Sequence, residues 1–417
     1  MASEQSKIYL PPPDKSITHR ALIIAAVAGG SSRVINPSIC ADTLATAACL
    51  KKLGVRIKFT KTGLYISGVG LKGLKKPQSA LSAGESGATM RLLAGLLAGQ
   101  DFDSVLTGRG SLLKRPMSRV ARPLLTLGAR INCARGLPPI KIHGSRLNGA
   151  SLKLSVPSAQ VKSAALLAGL YAAGRTTVTE RFKTRDHTER MLKYFGAKIS
   201  ASGLKTVLEP GKLKAVSIRV PGDISSAAPF MAAAQLLGIT LTVKNVGLNP
   251  TRLGLLKTLK RMGSRLKIKP EKSRPEPSGE LRFFPAELKG LTIAPADIPS
   301  MIDELPLLAL LAASAKGRTV IRGAAELRVK ESDRIKGTLD MLSRLGIKAV
   351  FKTGSLIISG PQRFRGGKTI NTYNDHRIAM AAAVGELAAE SPVKIINSGC
   401  VKKSYPKFFR DLKKVFL

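Results

Sequence analysis

One short phrase recurs along the chain. A stretch of leucines, lysines and arginines ends in a glycine and passes into alternating apolar residues: "LKKLGVRIK", "LLTLGARIN", "MLKYFGAKIS", "LKRMGSRLKI" and "LSRLGIKAV". The glycines are Gly54, Gly128, Gly196, Gly263 and Gly346, 67 to 83 residues apart. Each follows an amphipathic stretch and precedes a strand-like alternation, so each is expected just past a helix end, where a left-handed backbone favours glycine. Such repetition constrains the fold more than any other feature. A repeated unit cannot cover its own apolar face and must stack on its neighbours.

A second series interleaves with the first. "DKSITHRALIIAA", "ESGATMRLLAGLLAG", "SAQVKSAALLAGL", "GDISSAAPFMAAAQLLG", "MIDELPLLALLAA" and "YNDHRIAMAAAVGELAA" each open on a polar cluster and continue as helices apolar nearly all round. That pattern predicts buried helices. Six units of one buried helix, one amphipathic helix and short strands account for most of the 417 residues and divide into two α/β domains of three. The last amphipathic helix, "YPKFFRDLKKVF", ends the chain without its strand, and the leading "SKIYL" is placed to supply it, which would bring the termini together. The expected domains are therefore 14–222 and a discontinuous 1–13 plus 223–417. The Pro- and charge-rich "KPEKSRPEPSGELRFFP" (269–285) reads as a surface loop.

Composition narrows the class. With 44% hydrophobic residues the chain can bury a real core, and no apolar run reaches the length of a membrane span. "MASEQSKIYL" has neither a signal-peptide nor a transit-peptide pattern, so a cytoplasmic protein is expected. Cys40, Cys49, Cys133 and Cys400 form no CxxC pair and no metal-ligand spacing, and read as free thiols. The net charge of +42 attracts nucleic acid nonspecifically, yet the cations are scattered and aromatics are only 4%, which favours a solvated basic surface over a dedicated nucleic-acid site.

The chemistry gathers at the starts of the buried helices. "DKSITHR" sets Lys15, Ser16 and Arg20 where the unpaired N–H groups and partial positive charge should repel cations, unless an anion sits among them. "GESGATMR" offers Gly87 for close backbone approach and Arg91 a turn later; "KRPM" carries Arg115; "SAQ" supplies Ser158 and Gln160. "RVKESDR" carries Arg328, Lys330, Glu331 and Arg334, and "YNDHR" carries Asp375, His376 and Arg377. A lone cluster of this kind is ordinarily a cap or a solvated charge. Recurrence at equivalent points of a six-fold repeat argues instead for helix starts converging on a strongly anionic ligand. Asp303, among these cations, suits a base for a hydroxyl, with an N-cap or ion-pair role as the alternative. No P-loop is present.

These motifs, together with "TRDHTERML", "RVKESDRI" and "CVKKSYPKFF", run in order along the whole chain and resemble the 3-phosphoshikimate 1-carboxyvinyltransferase (EPSP synthase) family. The resemblance implies a two-domain inside-out α/β barrel of six βαβαββ-type units, with buried parallel helices whose N-termini face an interdomain cleft. It implies transfer of the enolpyruvyl group of phosphoenolpyruvate to the 5-hydroxyl of shikimate 3-phosphate, with no metal or organic cofactor, no membrane partner and a monomeric enzyme that closes over its ligands. Carried over by motif, Lys15, Ser16, Arg20, Ser158, Ala159, Gln160, Thr184, Asp303 and Lys330 would hold shikimate 3-phosphate. Lys15, Gly87, Arg115, Gln160, Arg334, Arg377 and Lys403 would hold phosphoenolpyruvate. Asp303, Lys15 and Glu331 would move protons. His376, read from its own cluster, suits orienting its neighbours, with a role as an acid as the alternative.

Four positions depart from the family pattern: Glu85 stands for an asparagine, Ala88 for a threonine, Arg109 for an acid, and paired aspartates become Ala41-Asp42. The sister enzyme acting on UDP-N-acetylglucosamine typically uses a loop cysteine and a Lys-Asn pair. Here "GRGSLLKRPM" has no cysteine and Lys15 precedes Ser16. A basic relative of the RNA 3′-phosphate cyclases is favoured by charge and opposed by the intact motifs.

Overall fold

The computed structural model describes residues 6–417. Its α-helices are α1 (Lys15–Ala26), α2 (Ala41–Lys52), α3 (Gly87–Ala98), α4 (Ser118–Thr126), α5 (Ala159–Gly169), α6 (His187–Tyr194), α7 (Ile224–Leu237), α8 (Gly254–Arg261), α9 (Leu305–Ser314), α10 (Arg334–Arg344), α11 (His376–Leu387) and α12 (Phe408–Phe416). The odd-numbered helices are the apolar series and the even-numbered ones the amphipathic series, except that α2 buries Asp42, Thr43 and Thr46 and exposes Leu44. In α3 every residue but Ala88 is buried. In α8, Leu255, Leu256 and Leu259 are buried while Lys257, Lys260 and Arg261 face solvent. The five repeat glycines all have φ between +82° and +101°, the left-handed conformation that ends a helix and turns the chain into a strand.

Strands complete each repeat. In the first, Gly29–Ile35, Gly63–Val69 and Arg56–Thr60 form an antiparallel array, and Ser217–Arg219 joins Gly29–Ile35 in parallel. The same four-strand arrangement recurs in five sheets among the described residues, whereas the last repeat has only Thr369–Asn371 beside Lys394–Ile396. The expected partner of the leading strand is corrected here. Lys7–Tyr9 pairs with Leu241–Gly247, in the sheet of the fourth repeat, not the sixth. In the second, third, fifth and sixth repeats, the strand before the buried helix pairs with the strand after it. In the first and fourth these partners are exchanged: the strand before α1 joins the strand after α7, and the strand before α7 joins the strand after α1. The termini do meet. Tyr9 stacks on Phe230 at 3.7 Å, and its hydroxyl lies 2.9 Å from that of Tyr405, which donates to Asp411 of α12.

The chain forms two compact units. The N-terminal unit comprises Pro13–Val220 with Ser273–Glu276; the C-terminal unit holds Pro221–Lys272, Pro277–Leu417 and the leading strand. The expected loop at 269–285 is instead part of a hairpin of Arg265–Glu271 and Ser278–Phe284, whose paired backbones satisfy each other across seven residue pairs. Its tip groups with the N-terminal unit, where Glu276 lies 2.8 Å from the buried His187. Each unit has its own apolar core. In the N-terminal core Gly95 lets α3 and α5 touch: a Cβ there would lie 2.1 Å from the Ala164 carbonyl oxygen. In the C-terminal core α7, α9 and α11 pack against one another.

Candidate active site

Five of the six buried helices are capped by a side chain, Asp14, Ser86, Ser158, Asp223 and Asp375 each accepting from a first-turn N–H. The caps hold the helix starts where Lys15, Ser16, Gly87, Ala159, Gln160 and Arg377 sit. The expectation is corrected for Arg115, Lys330, Glu331 and Arg334, which lie before or at the starts of the amphipathic α4 and α10 instead.

In the N-terminal unit, Lys15 opens α1 and its Nζ lies 2.9 Å from Asp42 Oδ2. One turn on, Arg20 is buried. Its Nε donates to Thr188 Oγ1 and its Nη2 to Ser163 Oγ, both at 2.8 Å, and its Nη1 to the carbonyl of Ser16 at 2.9 Å. Burial pushes the Arg20 guanidinium down to about 10. The neighbouring His19 is likewise buried, pushed down to about 3 by burial, and stays neutral with Nδ1 2.7 Å from Thr46 Oγ1. Ser158 caps α5, Ala159 is its first residue, and Gln160 Oε1 accepts from Arg91 Nη1 at 2.8 Å. Arg91 and Arg115 crowd the start of α3: a Cβ on Gly87 would come within 2.5 Å of Arg115 Nη1 and 2.9 Å of Arg91 Nη1. Two guanidiniums over a bare helix start make an anion cradle that any larger residue would fill. Glu85 does not face this cradle alone, since its carboxyl carbon would lie 2.8 Å from a Cβ on Gly110, across the chain segment leading to Arg115.

Thr184 is buried and its hydroxyl donates to Glu180 Oε1. Glu180 in turn meets Lys162 at 2.8 Å, and Glu189 meets the same lysine at 2.7 Å. Reading the sequence missed Lys162 and its carboxylates. The available signal was a lone lysine inside an otherwise apolar helix, which requires buried counter-charge. It also missed Asp42, which holds Lys15, and the Thr188 and Ser163 hydroxyls that orient Arg20.

In the C-terminal unit the centre is Arg334, the first residue of α10. Its Nε lies 2.8 Å from Asp375 Oδ2, its Nη1 3.0 Å from Asp303 Oδ1 and its Nη2 4.0 Å from Glu331 Oε2. Arg334 is buried, yet Asp375, Glu331 and Asp303 outweigh that burial and hold its guanidinium well above the usual value. His376 Nδ1 lies 2.7 Å from Glu331 Oε2. Arg377 donates through Nη1 to the Ser225 carbonyl at 3.0 Å and places Nη2 3.9 Å from Asp303 Oδ2. Lys330 pairs with Glu326 at 3.4 Å, and Lys403 Nζ donates to the Asn374 carbonyl at 3.2 Å. Glu331, Asp375 and His376 bring ligand-type atoms within 4.8 Å of one another, but Arg334 already supplies their positive charge.

Arginines and lysines gathered at helix starts, with a carboxylate among them, are suited to an anionic reactant, and the class that this fold defines is the enolpyruvyl transferases. The fold is that of the enolpyruvyl transferase NikO from Streptomyces tendae, matched at TM-score 0.80 and 19% identity over 99% of this chain and 95% of that one. The EPSP synthase of Acinetobacter baumannii matches at TM-score 0.86 and 42% identity, covering 99% of this chain and 96% of that one. The 3-phosphoshikimate 1-carboxyvinyltransferase of Sulfurihydrogenibium sp. is 46% identical over 413 residues, 97% of this chain and 96% of its own length. The family profile described as EPSP synthase (3-phosphoshikimate 1-carboxyvinyltransferase) matches residues 3–412, and the chain belongs to that family.

Proposed function

We propose that the chain transfers the enolpyruvyl group of phosphoenolpyruvate to the 5-hydroxyl of shikimate 3-phosphate, giving 5-enolpyruvylshikimate 3-phosphate and phosphate, a step toward chorismate and the aromatic amino acids. The observation that carries the reading is Asp303, a carboxylate 3.0 Å from one arginine and 3.9 Å from a second. A carboxylate so placed can take a proton from a hydroxyl while the adjacent cations meet an anionic reactant.

In this reading Ser16, Arg20, Ser158, Ala159, Gln160, Thr184, Asp303 and Lys330 hold shikimate 3-phosphate. Gly87, Arg115, Gln160, Arg334, Arg377 and Lys403 hold phosphoenolpyruvate, and Lys15 touches both. Asp303 accepts the 5-hydroxyl proton as the oxygen bonds to C2 of phosphoenolpyruvate. Protonation of C3 completes a tetrahedral ketal phosphate, and loss of a C3 proton with expulsion of phosphate restores the double bond. Lys15 and Glu331 serve those C3 proton transfers, and His376 orients Glu331 from 2.7 Å. The arginines stabilise the phosphate and carboxylate charges throughout.

The enzyme is read as a cytoplasmic monomer that needs no cofactor; no helix among the described residues is long and apolar enough to cross a membrane. The test is phosphate release by the purified protein with both small substrates. Asp303→Asn should lower kcat about a thousandfold, within the range a positioned base contributes. Turnover within tenfold of the parent would remove Asp303 from the chemistry. No turnover by the parent, with salt-sensitive RNA binding instead, would overturn the whole reading.

A further inference from the structure

Beside the Asp303, Arg334 and Arg377 cluster of the C-terminal unit lies a second, interior charge network. Arg252 sits 4% exposed in the turn before α8, Asp223 caps α7, Ser225 is in the first turn of α7, and Glu304 immediately follows Asp303. Arg252 Nη2 donates to Ser225 Oγ at 2.6 Å and to Asp223 Oδ1 at 3.3 Å. Ser225 Oγ in turn donates to Glu304 Oε1. One hydroxyl therefore accepts from a buried guanidinium and donates to a buried carboxylate, so both its hydrogen-bonding roles are used. The Ser225 carbonyl is the acceptor for Arg377 Nη1 at 3.0 Å.

We infer that Arg252 and Glu304 are positioning residues for phosphoenolpyruvate binding, acting through Ser225 on Arg377. The inference rests on the assignment of Arg377 to that substrate. With the first turn of α7 clamped from both sides, the Ser225 carbonyl is fixed and Arg377 is held in one rotamer before substrate arrives. Preorganisation of this kind removes an ordering cost from binding. Asp303 has a separate tether in Arg334, at 3.0 Å, so loosening the clamp reaches Arg377 before it reaches the base.

The experiment is steady-state kinetics of Arg252→Gln, Arg252→Lys and Glu304→Gln beside Arg377→Gln, with thermal melting of each. Arg252→Gln should raise KM for phosphoenolpyruvate about tenfold, leave KM for shikimate 3-phosphate within about twofold and leave kcat within about threefold. Arg252→Lys should recover part of the loss, and Glu304→Gln should shift the same KM by a smaller factor. A merely structural role would reduce the active fraction, lowering kcat with both KM values unchanged, and that result overturns the inference. So does a parallel rise in both KM values. If Arg377→Gln leaves KM for phosphoenolpyruvate unchanged, the assignment of Arg377 fails; if it raises that KM while the Arg252 variants do not, only the clamp fails.

Discussion

Arg20 and Arg334 are both buried arginines near helix starts, one in each unit, and they differ in their company. Arg20 is bonded to two hydroxyls and a carbonyl, and burial leaves it pushed down to about 10, with Glu189 offsetting only part. Arg334 is as deeply buried, but three carboxylates surround it and raise it instead. The first arrangement leaves positive charge that an incoming phosphate can complete. The second shares its charge with carboxylates that it holds in a fixed array. Similar burial thus leaves two arginines with opposite charge balances, set by whether hydroxyls or carboxylates surround them.

The sharpest way to break this comparison is Arg334→Met. Asp375, Asp303 and Glu331 would lose the charge they share, and Asp375 is fully buried. The expected loss is about 3–5 kcal/mol of unfolding free energy, the usual outcome when one partner of a buried ion network is deleted. Urea unfolding measures it. A loss below about 1 kcal/mol would mean the carboxylates are hydrated or protonated without Arg334, and the contrast between the halves would disappear.

Much of this architecture could be read from the chain because its repeats carry their own punctuation. Gly54 to Gly346 mark helix ends through backbone conformation, a local property, and the apolar helices announce burial by lacking a polar face. The exchange of strands between the first and fourth repeats could not be read, since Lys7–Tyr9 and Ser217–Arg219 are short and pair with partners set by tertiary closure. The site shows the same division. Lys15, Arg20, Arg334 and Arg377 stood out because cations at helix starts contradict the helix dipole. Asp42, Thr188 and Ser163, which orient them, are ordinary residues on other elements, and only the folded packing brings them near.

A smaller effect, read by pH, sharpens the account of the N-terminal half. His19 lies in the same cation-rich surroundings as Arg20, and burial with Lys15 and Arg20 nearby outweighs Asp42. The unfolded imidazole takes up a proton below about 6.5, whereas the folded one does so only near 3. Stability from this group is therefore complete above 6.5 and falls as pH drops through that window, by about 2 kcal/mol at pH 5. His19→Asn, whose amide can still reach Thr46, should flatten the decline in urea-unfolding free energy between pH 6.5 and 5 by that amount. An unchanged slope would show that His19 is hydrated enough to take up its proton in the folded protein as readily as in the unfolded one.

The smallest stability change belongs to the residue whose loss should matter most for binding. A guanidinium held at about 10 rather than 12.5 is disfavoured in its charged form by about 3 kcal/mol. Arg20→Met removes that burden together with three hydrogen bonds from a charged donor to neutral acceptors, each contributing about 1.5 kcal/mol. Two of the groups left behind, the Ser163 and Thr188 hydroxyls, already lie 2.7 Å apart and remain partnered. The terms largely cancel, so thermal melting should show a loss of about 1.5 kcal/mol, while equilibrium titration should show binding of shikimate 3-phosphate weakened about a hundredfold or more. A variant that unfolds as readily as Arg334→Met would make Arg20 a structural charge like its counterpart. One that stays folded and still binds shikimate 3-phosphate would leave the positive charge of this half without its anion.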